Sequence, residues 1–319
     1  MKAEALWVVE PNKVEIREVE IKPPGYDEVQ IEIKACGVCA WDASLYQGKS
    51  NPKPIPYTFG HEGVGFVRAI GDGVKSVKVG DKVCAAAAAN DMFMQYCNQP
   101  ESSVAKIPDN AEWKDWIVEP VVCVVNILYK VDIQPGDRIA LIGAGYMGQL
   151  TLQGLQAEPY GELVVFEPRE DYREMSKQYH NNGVYDPSSP EGLKKIEEIK
   201  NSGGFEIVIE LSASKSGYDL ACQLTKNVAS KLVLGSWHRQ DMVFDSTRWH
   251  LDGVSVLNLA PNSNAYFKEL IPATVKLIER GVYNPGKLVT HVVDYHDAVP
   301  LFLKAIDKSD GYMKGVITF

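Results

Sequence analysis

The chain has 319 residues, 45% apolar and 24% charged, with a formal net charge of −9. That length exceeds one ordinary core and predicts two domains of a soluble globular protein, while the acidic balance, without long basic runs, argues against a nucleic-acid surface. There is no run of about eighteen apolar residues to span a membrane, and Met1-Lys2-Ala3-Glu4-Ala5-Leu6 lacks the apolar core and cleavage site of a signal peptide, so a cytoplasmic location is expected.

The first third reads as β-rich. Ala3 to Val9 and Val14 to Ile21 flank a turn at Pro11-Asn12-Lys13, and Val29 to Lys34 alternates apolar and polar with period two. After Cys36-Gly37-Val38-Cys39-Ala40-Trp41-Asp42 comes a proline-rich loop, Pro52 to Pro56. Gly60-His61-Glu62-Gly63-Val64-Gly65 then opens an apolar strand to Ile70. This hexapeptide sets an imidazole and a carboxylate among glycines, where backbone turns sharply and approaches closely. By itself it fits either a metal-capable loop or a plain glycine-rich turn with a solvated glutamate. Six irregularly spaced cysteines (Cys36, Cys39, Cys84, Cys97, Cys123, Cys222) predict reduced thiols or metal ligands rather than a disulfide framework.

Beyond Pro108 the pattern changes. Trp113 to Val131 predicts one long buried helix entering a second domain, with Glu119-Pro120 near its start. The strand Arg138 to Ile142 runs directly into Gly143-Ala144-Gly145-Tyr146-Met147-Gly148 and a helix through Leu155, the context a dinucleotide fingerprint requires. Gly143 permits the tight turn, Gly145 lets backbone approach a pyrophosphate, and Gly148 allows helix to pack closely on strand; Tyr146 and Met147 open the helix whose N-terminus attracts the anion. The next strand, Leu163 to Phe166, ends at Glu167, nineteen residues after Gly148, where a carboxylate can hold ribose hydroxyls. Glu167 favours NAD, since its charge repels the extra phosphate of NADP. Arg169 could pair with that phosphate and keeps NADP as the alternative. Strands at Glu206 to Glu210, Lys231 to Leu234 and Val254 to Leu257, separated by helices such as Gly217 to Lys226, predict a doubly wound parallel sheet. A helix over Tyr266 to Arg280, a strand over Val289 to Val293, a short helix from Asp297 and a final strand over Met313 to Thr318 could complete the first domain.

Together these stretches resemble the zinc-dependent medium-chain alcohol and polyol dehydrogenases of the sorbitol dehydrogenase type. The similarity runs from Glu28-Val29 through the Cys36–Cys39 and Gly60–Gly65 segments, Gly80-Asp81-Lys82-Val83, Glu119-Pro120 and Gly143 to Gly148, to Lys314-Gly315-Val316-Ile317. It implies an α/β fold: a β-rich, GroES-like catalytic domain of residues 1–124 and 264–319, and a doubly wound parallel-sheet Rossmann domain of residues 125–263. It also implies one catalytic zinc per chain, with Cys39, His61 and Glu119 as ligands, Glu62 as a fourth, and Asp42 supporting them by hydrogen bonds. Taken singly, Cys39 would read as a buried thiol, His61 as a strand histidine and Glu119 as a helix-start carboxylate. Lys314 matches a position that approaches the cofactor phosphates, with a solvated strand lysine as the alternative.

Departures from the family pattern matter as well. Val83 to Tyr96 contains only Cys84, so the structural-zinc lobe of many relatives is expected to be absent. Trp41 stands where relatives have the Ser or Thr that passes on the substrate proton, and Ser44 where some have a relay histidine; Ser44, a water or His238 could serve the path instead, although His238, in Gly235-Ser236-Trp237-His238, reads more readily as a cofactor-side or packing residue. The implied reaction is hydride transfer between a secondary alcohol and a nicotinamide, with zinc as Lewis acid toward the alcohol oxygen. Glu119 as a ligand, and Trp41 with Trp237 as apolar faces, suggest a polyol, sugar or cyclitol substrate. A small alcohol or amino alcohol is the alternative substrate, and a nonenzymatic NAD-binding sensor the alternative class. A zinc-free reductase of the quinone oxidoreductase type would lack the Cys, His and Glu set. The expected partners are a small-molecule substrate and further copies of the chain, as a dimer or tetramer, with no nucleic acid and no membrane.

Overall fold

A computed structural model of the chain describes residues 1–49, 54–86, 91–238, 241–260 and 266–319. The chain divides into one unit of Met1–Val122 with Tyr266–Phe319 and a second of Cys123–Ala265. The expected domain boundary at 263/264, and Pro52 of the proline-rich loop, lie outside the described residues. No helix among the described residues is long and apolar enough to cross a membrane.

The first unit begins with β1 (Lys2–Glu10) and β2 (Lys13–Glu20), an antiparallel hairpin turned at Asn12 with φ 63°. β3 (Glu28–Val38) keeps the period-two pattern read from the sequence, with Val29, Ile31 and Ile33 fully buried. α1 (Ala40–Tyr46) follows, then the short β4 (Tyr57–Thr58), β5 (Glu62–Ile70), β6 (Lys82–Ala86), β7 (Tyr96–Pro100) and β8 (Val104–Lys106). The single helix expected over Trp113 to Val131 is broken. Trp113–Trp116 forms a 3-10 turn, and α2 starts at Glu119 and ends at Val131. Pro120 is the reason: in a continuous helix its ring would meet the carbonyl of Trp116 and it would leave a hydrogen bond unmade, whereas in a first turn it costs nothing.

In the second unit β9 (Arg138–Ile142), α3 (Tyr146–Leu155), β10 (Glu162–Phe166), α4 (Glu170–Ser176), β11 (Val184–Tyr185), α5 (Pro190–Asn201), β12 (Ile207–Glu210), α6 (Lys215–Leu224), β13 (Lys231–Leu234), α7 (Ser246–Asp252) and β14 (Ser255–Asn258) alternate. Every strand pairing is parallel, in the order β11-β10-β9-β12-β13-β14. The apolar runs of β9, β10 and β12 are buried because helices cover both faces of such a sheet. Strand order reverses between β9 and β12, the switch point outside which open α/β sheets bind ligands.

The chain then returns to the first unit with α8 (Leu270–Glu279), β15 (His291–Asp294), α9 (Ala298–Asp307) and β16 (Gly315–Thr318). β16 pairs antiparallel with β3, placing Gly315 opposite Val38, and completes a seven-stranded sheet. α9 seals it with Phe302, whose ring packs on Tyr46, Phe59 and Phe93. The chain thus forms the expected α/β architecture: a β-rich unit and a doubly wound parallel sheet.

Candidate metal centre and dinucleotide site

Cys39 is the residue between β3 and α1, and its backbone N–H donates to Asp42 Oδ2 at 2.8 Å. His61 and Glu62 arrive on β5 after Gly60, whose φ of 93° is open to glycine and strained for any other residue. Ligand atoms of Cys39, His61 and Glu62 all lie within 4.8 Å of one another, and this is the one metal-capable group of three or more such side chains among the described residues. The fully buried Asp42 also sets its Oδ1 3.3 Å from His61 Nδ1, so it braces the thiol's backbone and the imidazole together. Burial would lower the pKa of His61, but the Asp42 carboxylate, with Cys39, raises it well above the ordinary imidazole value. Thiolate, imidazole and carboxylate are ordinary zinc donors, and three of them leave a coordination position open, so the residues fit the ion implied by the sequence.

Glu62 is 1% exposed and Lys314 3%. The Lys314 ammonium lies 2.7 Å from Glu62 Oε1 and 2.5 Å from Oε2, and donates to the Val38 carbonyl at 3.1 Å. Lys314 is therefore not the solvated strand lysine of the alternative: a buried ammonium needs a counter-charge, and β16 brings it to Glu62. Space for that carboxylate is made by Gly37, directly across from Glu62 in the β3–β5 ladder; a Cβ at Gly37 would stand 2.0 Å from Glu62 Oε2. Sequence reasoning missed this role of Gly37. Its only trace there is a glycine inside an otherwise alternating strand.

Glu119 is not brought into the metal-capable group. It opens α2, 7% exposed, where a carboxylate suits the positive end of the helix. Ser44 is fully buried on α1, and Trp41 packs partly buried against the core of the first unit. Trp237, in the second unit, is 47% exposed. All six cysteines are free. Burial, reinforced by Asp42 and Glu62, pushes the Cys36 thiol well up, and burial raises Cys84 and Cys97 to about 12, so these three remain neutral packing groups.

In the second unit the fingerprint has its expected form. Gly143 has φ 91°, and a Cβ there would meet Ser212 N at 2.7 Å; one at Gly148 would meet the Gly143 carbonyl oxygen at 2.2 Å. Gly145 differs, since a Cβ on it would find only Tyr172 Cε2, at 3.9 Å, which leaves room for a ligand to approach the backbone. Tyr146 and Met147 are the first residues of α3. Glu167, 5% exposed, accepts from Ala144 N at 2.7 Å and Arg169 N at 2.9 Å, which locks the end of β10 to the glycine turn. Each of its oxygens retains a lone pair for a hydroxyl. The Arg169 guanidinium pairs with Asp171 at 2.7 Å and stacks on the Tyr172 ring with 4.0 Å to its centroid.

Residues 25–109 match the alcohol dehydrogenase GroES-like domain family. Over 96% of its length, and 96% of the relative's, the chain is 24% identical to the uncharacterized zinc-type alcohol dehydrogenase-like protein YdjJ of Escherichia coli K12. It is 23% identical to D-arabinitol dehydrogenase 1 of Uromyces fabae, over 95% of this chain and 93% of that one. Among solved structures, the rspB alcohol dehydrogenase of Escherichia coli CFT073, complexed with NADH, superposes with a TM-score of 0.86 at 20% identity, covering 100% of this chain and 99% of that chain.

Proposed function

We infer that this chain, similar along its whole length to the zinc-type alcohol and polyol dehydrogenases, is a zinc-dependent oxidoreductase that moves a hydride between a secondary alcohol and a nicotinamide cofactor. The observation that carries the reading is the Cys39, His61 and Glu62 donor set within 4.8 Å, braced by a buried Asp42. A zinc ion held there supplies Lewis acidity toward an alcohol oxygen, and the nicotinamide supplies the hydride acceptor. The chain's own part is to hold three donors with one position left for substrate, to fix the imidazole through Asp42, and to keep the carboxylate of Glu62 out of water. We assign the ion to these three residues and not to Glu119, which stands outside the group.

NAD is proposed over NADP. Glu167 offers hydroxyls an acceptor and an added phosphate a repulsion, while the Arg169 charge is already matched by Asp171. The polyol, sugar and cyclitol class is proposed for the substrate, in line with the arabinitol dehydrogenase among the relatives. The protein is proposed to work in the cytoplasm as a dimer or tetramer. β14 is an edge strand, and Phe244 and Leu251, in the segment leading to it, are 51% and 77% exposed.

Metal analysis and a substrate screen test the reading together. The expected result is one zinc per chain, lost in His61→Ala, with NADH absorbance rising on a polyol, sugar or cyclitol. Turnover by metal-free protein would overturn the zinc assignment. NADH binding without turnover of any alcohol in the screen would favour a sensor. Equal or faster turnover with NADP would defeat the NAD assignment.

A further inference from the structure

A second buried carboxylate organises a site in the other unit. Glu210, the last residue of β12, is fully buried. Its Oε1 accepts from Ser212 N at 2.6 Å and from the Ser212 hydroxyl, and its Oε2 accepts from Ser236 Oγ at 3.0 Å and lies 2.7 Å from His238 Nε2. The His238 ring, 9% exposed, also stands edge-on to Tyr218, with centroids 5.9 Å apart and an interplanar angle of 72°. Facing a carboxylate, Nε2 carries the hydrogen, so in the neutral ring Nδ1 is left as an acceptor. That Nδ1 is buried and has no hydrogen-bond partner among the described residues. A buried polar atom left unpaired in a ring otherwise held on two sides is a standing cost to the fold, and a ligand that pairs it removes the cost.

The placement says which ligand. β12 is the neighbour of β9 across the switch point, and Leu211 N donates to the Ile142 carbonyl at 2.7 Å. The Gly143 turn packs directly on the backbone of Ser212, as its missing Cβ shows. Glu167 lies on the opposite side of β9, at the end of β10. A dinucleotide with its pyrophosphate on the Gly143–Gly148 turn therefore has one ribose on the Glu167 side and its other half over the carboxyl ends of β12 and β13, which Glu210 and His238 close.

We propose that His238 is a cofactor-binding residue whose Nδ1 accepts a hydrogen bond from a hydroxyl of the ribose next to the nicotinamide, with Glu210 fixing its tautomer and orientation. The proposal rests on the nicotinamide-dependent reading above. Hydride transfer needs that half of the cofactor held still, and a ring clamped by a carboxylate and an aromatic edge does so at little entropic cost.

The test compares NADH, ADP-ribose, which keeps the second ribose, and ADP, which lacks it, by NADH fluorescence and competition. Loss of one such hydrogen bond in His238→Ala is expected to weaken NADH and ADP-ribose about tenfold and to leave ADP within about twofold. His238→Asn, which puts an amide oxygen near the place of Nδ1, is expected to restore most of the loss. Equal weakening of all three ligands, unchanged binding of ADP-ribose, or no rescue by Asn would overturn the proposal. Should His238→Ala not fold, the Nδ1 resonance of 15N-histidine-labelled wild-type protein serves: it is expected to shift with ADP-ribose and not with ADP, and any other pattern is a refutation. Wild-type protein that binds neither NADH nor NADPH would instead sink the nicotinamide reading itself.

Discussion

Glu62 and Lys314 form an ion pair between residues that are 1% and 3% exposed, and its meaning depends on whether a metal shares the carboxylate. Removing one partner of a buried pair leaves an uncompensated charge, so Lys314→Met is expected to destabilise metal-free protein by about 3 kcal/mol. Zinc would supply the missing counter-charge, so the loss is expected to be smaller in the zinc-loaded form; equal losses by calorimetry with and without zinc would show that Glu62 does not reach the metal. Gly37→Ala tests the same carboxylate from behind. Its Cβ would press on Glu62 Oε2, and zinc affinity by competitive chelation is expected to fall roughly tenfold or more, the range seen when groups supporting a ligand are disturbed. Glu119→Gln is expected to keep a full equivalent of zinc. At this scale the sequence makes Cys39, His61 and Glu62 legible because they lie in short motifs of chemically distinctive residues. The partnership of Glu62 with Lys314, 252 positions away, is not legible, since nothing local to either residue marks the other.

Strand and helix ends carry the next level of specification. Glu206, just before β12, ties that strand to β9 and to the end of α6: its carboxylate accepts from Arg138 Nε at 3.0 Å and from Lys226 Nζ at 2.9 Å. Burial opposes its charge, but Arg138 and Lys226 overcome this and lower its pKa from 4.5 to about 2. A carboxyl whose folded-state pKa is depressed contributes its full stabilisation above the unfolded value and loses it as pH falls through the folded one. Wild type is therefore expected to be more stable than Glu206→Gln by about 2 kcal/mol near neutrality, a figure already reduced for partial exposure, with the gap closing between about pH 4.5 and 2. Denaturant melts across that range check it; a gap that persists at pH 2 would refute it. The start of α2 shows how much of this level can be read in advance. Glu119-Pro120 is a visible helix start, yet the apolar run from Trp113 masks it, because burial and helicity leave the same hydrophobic signal until the proline's geometry is imposed.

Across the whole chain the two candidate chemistries occupy separate stretches: the proposed zinc donors lie within Met1–Val122 and the dinucleotide fingerprint within Cys123–Ala265. None of the residues assigned to the dinucleotide is also assigned to the zinc, so chelator-stripped protein is expected to bind NADH within about twofold of the zinc-loaded form while losing turnover. Loss of NADH binding on stripping the metal would refute that independence. The sequence alone was sufficient for the α/β plan of a β-rich part and a doubly wound sheet, and it singled out the glycine fingerprint with Glu167, and Cys39 with His61-Glu62, as the candidate cofactor and zinc groups. Each depends on residues next to one another, whose turn geometry, periodicity and ligand chemistry need no distant partner to be recognised. Tertiary structure decided what those residues meet: Lys314 and Gly37 at Glu62, Asp42 between Cys39 and His61, and His238 at Glu210. Such contacts depend on strand register and on which buried charges must find a counterpart, and a single residue's slip in register would send each side chain to the opposite face.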